Sequence, residues 1–214
     1  MQEEPHPRGW RHPVVVLGAA FLAGAVPFSN LMARRARGVD LRKFGSGTVS
    51  GTALYEVAGF GSLALAGVCD VLKGAVGPLL AGRSRPRLRA LAAGAAVAGH
   101  NWSPFLRGAG GRGISPALGA LAAGAPAGSV LLLGGMVGGR LAGETAIGSL
   151  CADAALVPVL RRVHGTAGAE AGAAVLAPMM AKRLVGNTAA PRPRRWRVYL
   201  TRLLLDRDTL RKTA

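Results

Sequence analysis

Residues 13–33 read PVVVLGAAFLAGAVPFSNLMA and contain no charged side chain. A helix that crosses the hydrocarbon core of a bilayer needs about 20 predominantly apolar residues, so this run is long enough to span a membrane. Acidic residues precede it and no clean cleavage pattern follows, which favours a retained span over a signal peptide. The sequence therefore predicts an integral membrane protein.

The composition supports this prediction. Half of the 214 residues are hydrophobic and only 17% are charged, whereas soluble domains carry about 25% charged residues. Alanine and glycine dominate the apolar runs, which suits helices that pack with their backbones close together in lipid. The net charge is +17, but the basic stretches lack interleaved aromatic residues. Membrane lipids and phosphate-bearing substrates are therefore expected partners, and nucleic acid is not.

The remaining apolar runs predict an all-α integral membrane protein with about seven transmembrane helices. Five or six spans are alternatives, because residues 114–143 are too long for one span and short for two. The predicted spans are residues 13–33, 52–81, 88–106, 114–126, 127–143, 146–162 and 165–181. In the second span, Gly74, Gly77 and Pro78 indicate a break in the helix.

The loops and the tail predict the orientation. With seven spans, most of the lysines and arginines outside the spans fall on one side, which places the N-terminus outside and the C-terminus in the cytoplasm. The four arginines between residues 83 and 89 do not fit this assignment, because it places their loop outside, where few basic residues are expected. The polytopic domain covers residues 1–187, and a basic tail covers 188–214. Within the tail, residues 196–212 fit a short amphipathic helix on the membrane surface, and its inward side chains are Trp196, Tyr199, Leu203 and Leu204.

A first candidate site follows the first span, in the sequence GVDLRKFGSGT at residues 38–48. Gly45, Ser46 and Gly47 lie beside Arg42, and glycines allow backbone N–H groups to converge on phosphate oxygens. Arg42 can add a two-pronged charge-assisted bond. A flexible basic loop at the membrane surface is the alternative interpretation.

A second candidate is Asp70 with Lys73, one helical turn apart inside an apolar run. Charges within a span are costly, usually pair with each other and often mark function. The alternative is an ion pair near the end of the span, with Lys73 reaching the interface.

The most informative segment is GHNWSPFLRGAGGRGIS at residues 99–115. His100 ends a span, and Gly110, Gly111 and Gly113 surround Arg112 before the next helix begins. A glycine-rich loop that carries arginines and leads into a helix is well suited to hold phosphate. Cys69 and Cys151 lie in apolar runs without metal-ligand or disulfide spacing, so neither a metal nor a cofactor is predicted.

In this order, the segments resemble the PlsY family of bacterial glycerol-3-phosphate acyltransferases. The matching segments are GAVPFSNLMARRARGVDLRKFGSG at 24–47, DVLKG at 70–74, GHNWSPFLRGAGGRG at 99–113, AIGSL at 146–150 and KRLVGN at 182–187. The resemblance implies a multi-pass enzyme of the bacterial cell membrane. Such an enzyme transfers a fatty acyl group from acyl phosphate to the 1-hydroxyl of glycerol 3-phosphate, giving lysophosphatidic acid and phosphate in phospholipid synthesis.

The resemblance also implies roles for individual residues. His100, Ser46 and Arg112 would act in catalysis, and Asp70 and Ser149 would support them. The phosphate groups would be held by Arg42, Lys73 and the glycines at 45, 47, 110, 111 and 113. The chain departs from the family where asparagines are expected, at Thr48 and Ala53, and where arginine is expected, at Glu56. The alternative is therefore a catalytically impaired paralogue that binds lipid or regulates a true acyltransferase. The oligomeric state is not predicted.

Overall fold

The structure is a computed structural model that describes residues 12–45, 47–189 and 195–206, and within these ranges it contains helices and no strand. The all-α prediction is therefore confirmed for the described chain. Eight α-helices are assigned there, and short 3-10 turns lie at Leu41–Lys43 and Pro104–Leu106. The helices are α1 (Pro13–Ala25), α2 (Phe28–Arg37), α3 (Gly51–Ala81), α4 (Pro86–Asn101), α5 (Ile114–Gly124), α6 (Pro126–Leu141), α7 (Thr145–Val185) and α8 (Arg195–Leu205).

The long helix α7 turns back on itself at Gly165, whose φ of 65° is one that glycine adopts readily. Gly172 lies against Leu156 and Leu160. In a straight helix with a rise of about 1.5 Å per residue, positions 160 and 172 would be about 18 Å apart. Residues 145–164 and 166–185 are therefore the two legs of an antiparallel hairpin, in agreement with the predicted boundary between residues 162 and 165.

Helix α3 also breaks, but the position differs from the prediction. The backbone reverses at Gly59, where φ is 75°, and Gly51 consequently lies beside Leu63. The break predicted around Gly74 and Pro78 is wrong, because the helix continues through both residues. Gly74 instead allows α5 to approach, since a side chain there would collide with the backbone of α5.

Helix α4 lies in the centre of the bundle and packs against α1, α3, α5 and α7. Its glycines mark the closest approaches: a Cβ atom on Gly99 would collide with the carbonyl of Phe21, and one on Gly94 with the carbonyl of Ala174. The backbones therefore pass each other with almost no side chain between them. This confirms the close packing predicted from the alanine and glycine content.

The outer surface of the bundle is apolar. Val14, Phe60, Val130 and Leu141 are each at least 70% exposed, as expected for side chains that face lipid. Two helical stretches, Pro13–Arg37 and Gly51–Ala81, are long and apolar enough to cross a membrane. Two helices, α5 and α6, are formed within residues 114–143. They meet at Ala125, one residue before the predicted span boundary at 126, and α5 is only 11 residues long.

Helix α8 packs against the end of α7. Its buried residues are Thr201 and Arg202, while Trp196, Tyr199 and Leu204 are between 40% and 60% exposed. The predicted amphipathic helix is thus present from Arg195 to Leu205, and the remainder of the predicted segment lies outside the described residues. The side that docks on the protein is polar, and the aromatic side chains remain available for another surface.

Candidate active site

A small cavity of about 10 Å³ lies where the α1–α2 turn, α3, α4 and the loop at residues 107–113 meet. This volume is about that of one water position. The polar side chains in its wall are those of Ser29, Asp70, Lys73, His100 and Ser103, which we call the cavity cluster. Three predicted site residues, Asp70, Lys73 and His100, therefore meet at one place.

Lys73 and Asp70 form the charged centre of the cavity cluster. Lys73 Nζ lies 2.7 Å from Asp70 Oδ1, and both side chains are about 5% exposed. Lys73 also donates a hydrogen bond of 2.5 Å to the carbonyl of Val26, and Ser29 Oγ donates to Asp70 Oδ2 at 3.4 Å. Lys73 is thus held inside the bundle, where it forms the predicted ion pair with Asp70.

His100 lies at the end of α4 and completes the cluster. Its Nδ1 atom is 4.0 Å from Asp70 Oδ1, and its side chain is 12% exposed. The Nε2 edge of the ring lies against Gly111, where any Cβ atom would collide with it. Gly111 is therefore required as glycine for a packing reason that the sequence alone does not reveal.

The two glycine loops predicted to hold phosphate are joined by a single side chain. Asn187 Nδ2 donates to the carbonyls of Gly47 and Gly110, at 3.3 and 2.9 Å, and Asn187 Oδ1 accepts from the Gly110 N–H at 3.2 Å. The N–H of Val49 also donates to the Gly110 carbonyl. The loops after α2 and α4 therefore lie side by side, and Gly110 and Gly111 line the cavity.

A wider groove of about 330 Å³ adjoins the cavity and shares Val26, Pro27 and Leu106 with it. Its other walls combine apolar side chains with Arg34 and Arg42. Arg42 Nη2 lies 2.6 Å from Asp40 Oδ2, and Arg34 contacts the same oxygen at 3.0 Å. The hydrogen bonds from Arg42 hold the pKa of the Asp40 carboxyl well below its ordinary value. The groove therefore combines apolar walls with a cationic end.

Arg112 lines neither the cavity nor the groove. Its Nε atom lies 2.7 Å from Oδ1 of Asp206, the residue that follows α8, and its Nη1 donates to the Lys182 carbonyl at 2.9 Å. The next residue, Gly113, has a φ of 87° and precedes the first turn of α5. Its role at the phosphate, like that of Arg112, remains a prediction.

Ser149 belongs to a separate polar group between the legs of α7, which we call the hairpin cluster: Ser149, Asp153 and Arg183. Arg183 donates to Ser149 Oγ at 3.3 Å and to the Ala146 carbonyl at 2.8 Å, and it lies 3.6 Å from Asp153. None of the three residues lines the cavity or the groove.

Two further sequence predictions concern residues near the first glycine loop. Ser46 lies outside the described residues, so its role remains a prediction; its neighbours Gly45 and Gly47 are both in the left-handed region, with φ of 55° and 71°. Glu56, which stands where the family resemblance implies arginine, is exposed and lines neither the cavity nor the groove. Its carboxylate therefore does not face the basic groove.

Sequence reasoning missed several of the residues that shape this site. Ser29 and Ser103 lie in the cavity wall, and Asn187 joins the loops. All three residues fall within the segments that resemble the PlsY family, which was the only signal available for them. Their partners are 41 and up to 140 residues away in sequence, so no local pattern identifies them.

Comparisons with known proteins identify relatives of this chain. A family profile described as glycerol-3-phosphate acyltransferase matches residues 14–189. Glycerol-3-phosphate acyltransferase 5 of Dehalococcoides mccartyi is 32% identical over 206 residues, covering 91% of this chain and 88% of that protein. The glycerol-3-phosphate acyltransferase of Desulforudis audaxviator is 41% identical over 110 residues, which is 50% of this chain and 55% of that protein.

A solved structure shares the fold. The crystal structure of PlsY, an integral membrane glycerol 3-phosphate acyltransferase, in its glycerol 3-phosphate form superposes with a TM-score of 0.71. The match covers 80% of this chain and 88% of that one, at 24% sequence identity.

Proposed function

The chain belongs to the glycerol-3-phosphate acyltransferase family, and we propose that it transfers a fatty acyl group from acyl phosphate to the 1-hydroxyl of glycerol 3-phosphate. The products are lysophosphatidic acid and inorganic phosphate. The observation that carries the proposal is the meeting of two glycine loops with Lys73 and His100 at one cavity, beside an apolar groove with a cationic end.

The phosphate groups of the two substrates are assigned to the basic and glycine-rich parts of the site. The N–H groups of Gly47, Gly110 and Gly111 donate to Phe44, Asn187 and His100, and the fork of Arg42 donates to Asp40. Phosphate oxygens bind here by taking the place of these acceptors, and the planar fork of Arg42 suits a phosphate as it suits a carboxylate. The apolar wall of the groove suits the fatty chain of the acyl donor, because burial of methylene groups is favourable by about 0.8 kcal/mol each. Arg112 and Gly113 contribute to phosphate binding from the edge of the glycine loop at residues 107–113.

The chemical step is a direct acyl transfer. The glycerol hydroxyl oxygen attacks the carbonyl carbon of the acyl phosphate, the new ester C–O bond forms, and the C–O bond to phosphate breaks. The departing phosphate takes the proton that the hydroxyl loses, so atoms and charge balance without a covalent enzyme intermediate. His100 orients the reacting groups, and Lys73 supplies positive charge where negative charge develops on the carbonyl oxygen and the phosphate.

We also propose that the protein is a multi-pass protein of the bacterial cell membrane, with the N-terminus outside and the C-terminus in the cytoplasm. The resemblance of its fold to an integral membrane protein and its apolar surface support this. The seven-span count needs α3, α5 and α6 to cross or enter the bilayer as separate elements. A phosphatase reporter that works only outside the cytoplasm, fused to the C-terminus, is expected to be inactive; an active fusion would reverse the assigned orientation.

The activity is tested with purified protein in detergent, supplied with acyl phosphate and glycerol 3-phosphate. Phosphate release that depends on both substrates is expected, and His100→Ala and Arg112→Ala should reduce it. Arg161→Gln is the matched control, since Arg161 is exposed near the hairpin turn and away from the site. If the wild-type protein gives no turnover, or if neither site variant slows it, the proposal fails and the non-catalytic alternative gains support.

A further inference from the structure

Helix α8 lies beyond residues 14–189, where the family profile matches, yet it packs against α7. Its key residue is Arg202, which is 0% exposed. A fully buried arginine is rare unless its charge is compensated by hydrogen-bond acceptors. The acceptors of Arg202 therefore indicate what α8 does.

The Arg202 guanidinium caps the C-terminal end of α7. Nη1 donates to the carbonyls of Leu184 and Val185, at 3.2 and 2.5 Å, and Nη2 donates to the carbonyl and hydroxyl of Thr188, at 2.7 and 3.2 Å. The last carbonyls of a helix have no partner within that helix and carry partial negative charge. Arg202 satisfies them from a different helix, and it fixes the turn that follows α7.

The residue inside this turn is Asn187, which joins the two glycine loops. Arg202 binds the backbone on both sides of it, at Val185 and Thr188. A shift of the turn would consequently move the amide that holds the carbonyls of Gly47 and Gly110. The guanidinium of Arg202 thus acts on the phosphate loops through one intervening side chain.

A second contact from α8 reaches the same loop directly. Asp206, at the end of α8, lies 2.7 Å from Arg112, whose side chain is 10% exposed. Arg112 also donates to the Lys182 carbonyl, one turn before the segment that Arg202 caps. Both ends of the loop at residues 110–112 are therefore tied to the junction between α7 and α8.

From these contacts we propose that α8 is a positioning element for substrate phosphate, in which Arg202 fixes Asn187 and Asp206 fixes Arg112. Arg202 is a positioning residue that does not touch the substrate. The proposal deepens the proposed function, because it assigns the tail to the binding of phosphate at that same site. It predicts that removing the contacts of Arg202 or Asp206 weakens substrate binding more than it slows the chemical step.

The test compares Arg202→Gln with Arg197→Gln, which removes an exposed arginine from the same helix. Hydrogen exchange followed by mass spectrometry should show about tenfold faster exchange in peptides covering 45–49 and 107–113 for Arg202→Gln, and no change for Arg197→Gln. The KM for glycerol 3-phosphate should rise about tenfold with a smaller change in kcat. Arg202→Lys, which keeps the charge but not the fork of donors, should restore part of the protection.

Hydrogen exchange needs no substrate, so it separates this proposal from the proposed function. Suppose that the wild-type protein lacks acyl transfer while Arg202→Gln still speeds amide exchange in both loops. That result would support the role of α8 as a positioning element and would contradict the proposed acyltransferase activity. Unchanged loop exchange, or an effect confined to the melting temperature, would overturn the proposal. If Arg202→Gln does not fold, Asp206→Asn decides: faster exchange in 107–113 alone is expected, and unchanged exchange there contradicts the proposal.

Discussion

The cavity cluster and the hairpin cluster each contain a buried ion pair, but they are built differently. Asp70 and Lys73 are 2.7 Å apart, line a cavity and lie next to His100. Asp153 and Arg183 are 3.6 Å apart and line neither the cavity nor the groove, and Arg183 binds the carbonyls of Ala146 and Arg202. A buried charge in a membrane protein therefore does not by itself mark a site: the first pair lines the small cavity that adjoins the apolar groove, whereas the second connects helices.

The largest expected effect is a loss of activity when the ion pair of the cavity cluster is replaced, but not when that of the hairpin cluster is replaced. Removing one partner of a buried pair costs about 3–5 kcal/mol, whereas replacing both with apolar residues is often tolerated. Asp153→Leu with Arg183→Met should therefore fold and retain acyl transfer within a few-fold. Asp70→Leu with Lys73→Met should also fold but lose about 100-fold or more in kcat/KM, because the ammonium group of Lys73 no longer stabilises the developing negative charge.

Melting temperature in detergent and kcat/KM are the two measurements for these double variants. Lys73→Met and Arg183→Met alone serve as controls, and both should melt well below the corresponding double variants. Equal loss of activity in the two double variants would show that the cavity cluster has no special role.

The contact between His100 and Gly111 offers a second, smaller test of the cavity cluster. Gly111→Ala places a methyl group against Nε2 of His100, and a displacement of about 1 Å in a catalytic group can cost about 100-fold in rate. A loss of about 10- to 100-fold in kcat is expected. Gly138→Ala is the matched control, since a Cβ atom there meets nothing within 4 Å. Equal activity of both variants would show that His100 need not be held in place.

The ion pair between Asp40 and Arg42 lies at the mouth of the groove and should matter less than either buried pair. Such partly exposed pairs are worth about 1 kcal/mol or less. Asp40→Asn frees Arg34 and Arg42, so the KM for acyl phosphate should fall a few-fold. A KM that rises in this variant would mean that Asp40 orients Arg42 for binding.

The same carboxyl gives a prediction for pH. Because the pKa of Asp40 is lowered in the folded protein, its contribution to stability is fully present above its ordinary pKa of about 3.9 and is lost as the pH falls through the lowered value. Between about pH 5 and 8, the melting temperatures of wild type and Asp40→Asn should therefore run parallel. A difference that changes with pH in this range would contradict the assigned ion pair.

The smallest effect is expected for Glu56, an exposed charge that contrasts with both buried pairs. Glu56→Gln should change kcat/KM less than about twofold, because an exposed charge is screened by solvent and salt. A gain of tenfold in the phosphate-release assay would show that Glu56 does repel the substrate.

The sequence predicted much of the fold, because local patterns determine it. Apolar run length identified most of the helices, and the small residues predicted close backbone packing. The boundaries near residues 125 and 165 were predicted to within two residues, but the predicted span 13–33 is divided between α1 and α2. The break at Gly59 was missed in favour of Gly74 and Pro78, since a glycine that reverses the chain and a glycine that admits a neighbouring helix look alike in sequence.

The candidate site was only partly predictable. The motifs identified Asp70, Lys73 and His100, and the structure places them together. The supports of the site, Asn187 and Arg202, act on backbone groups rather than on recognisable side-chain partners. Such contacts depend on where the helices meet in space, so they cannot be predicted from the spacing of residues in the sequence.

The central claim is that the cavity cluster performs acyl transfer from acyl phosphate to glycerol 3-phosphate. Its most direct test is to measure lysophosphatidic acid and inorganic phosphate together, by mass spectrometry and a phosphate assay, in wild type, Lys73→Met and Arg161→Gln. The account predicts equal amounts of the two products in wild type and Arg161→Gln, and neither above background in Lys73→Met at a temperature below the melting transition of that variant. Phosphate without lysophosphatidic acid, or full product formation by Lys73→Met, would contradict it.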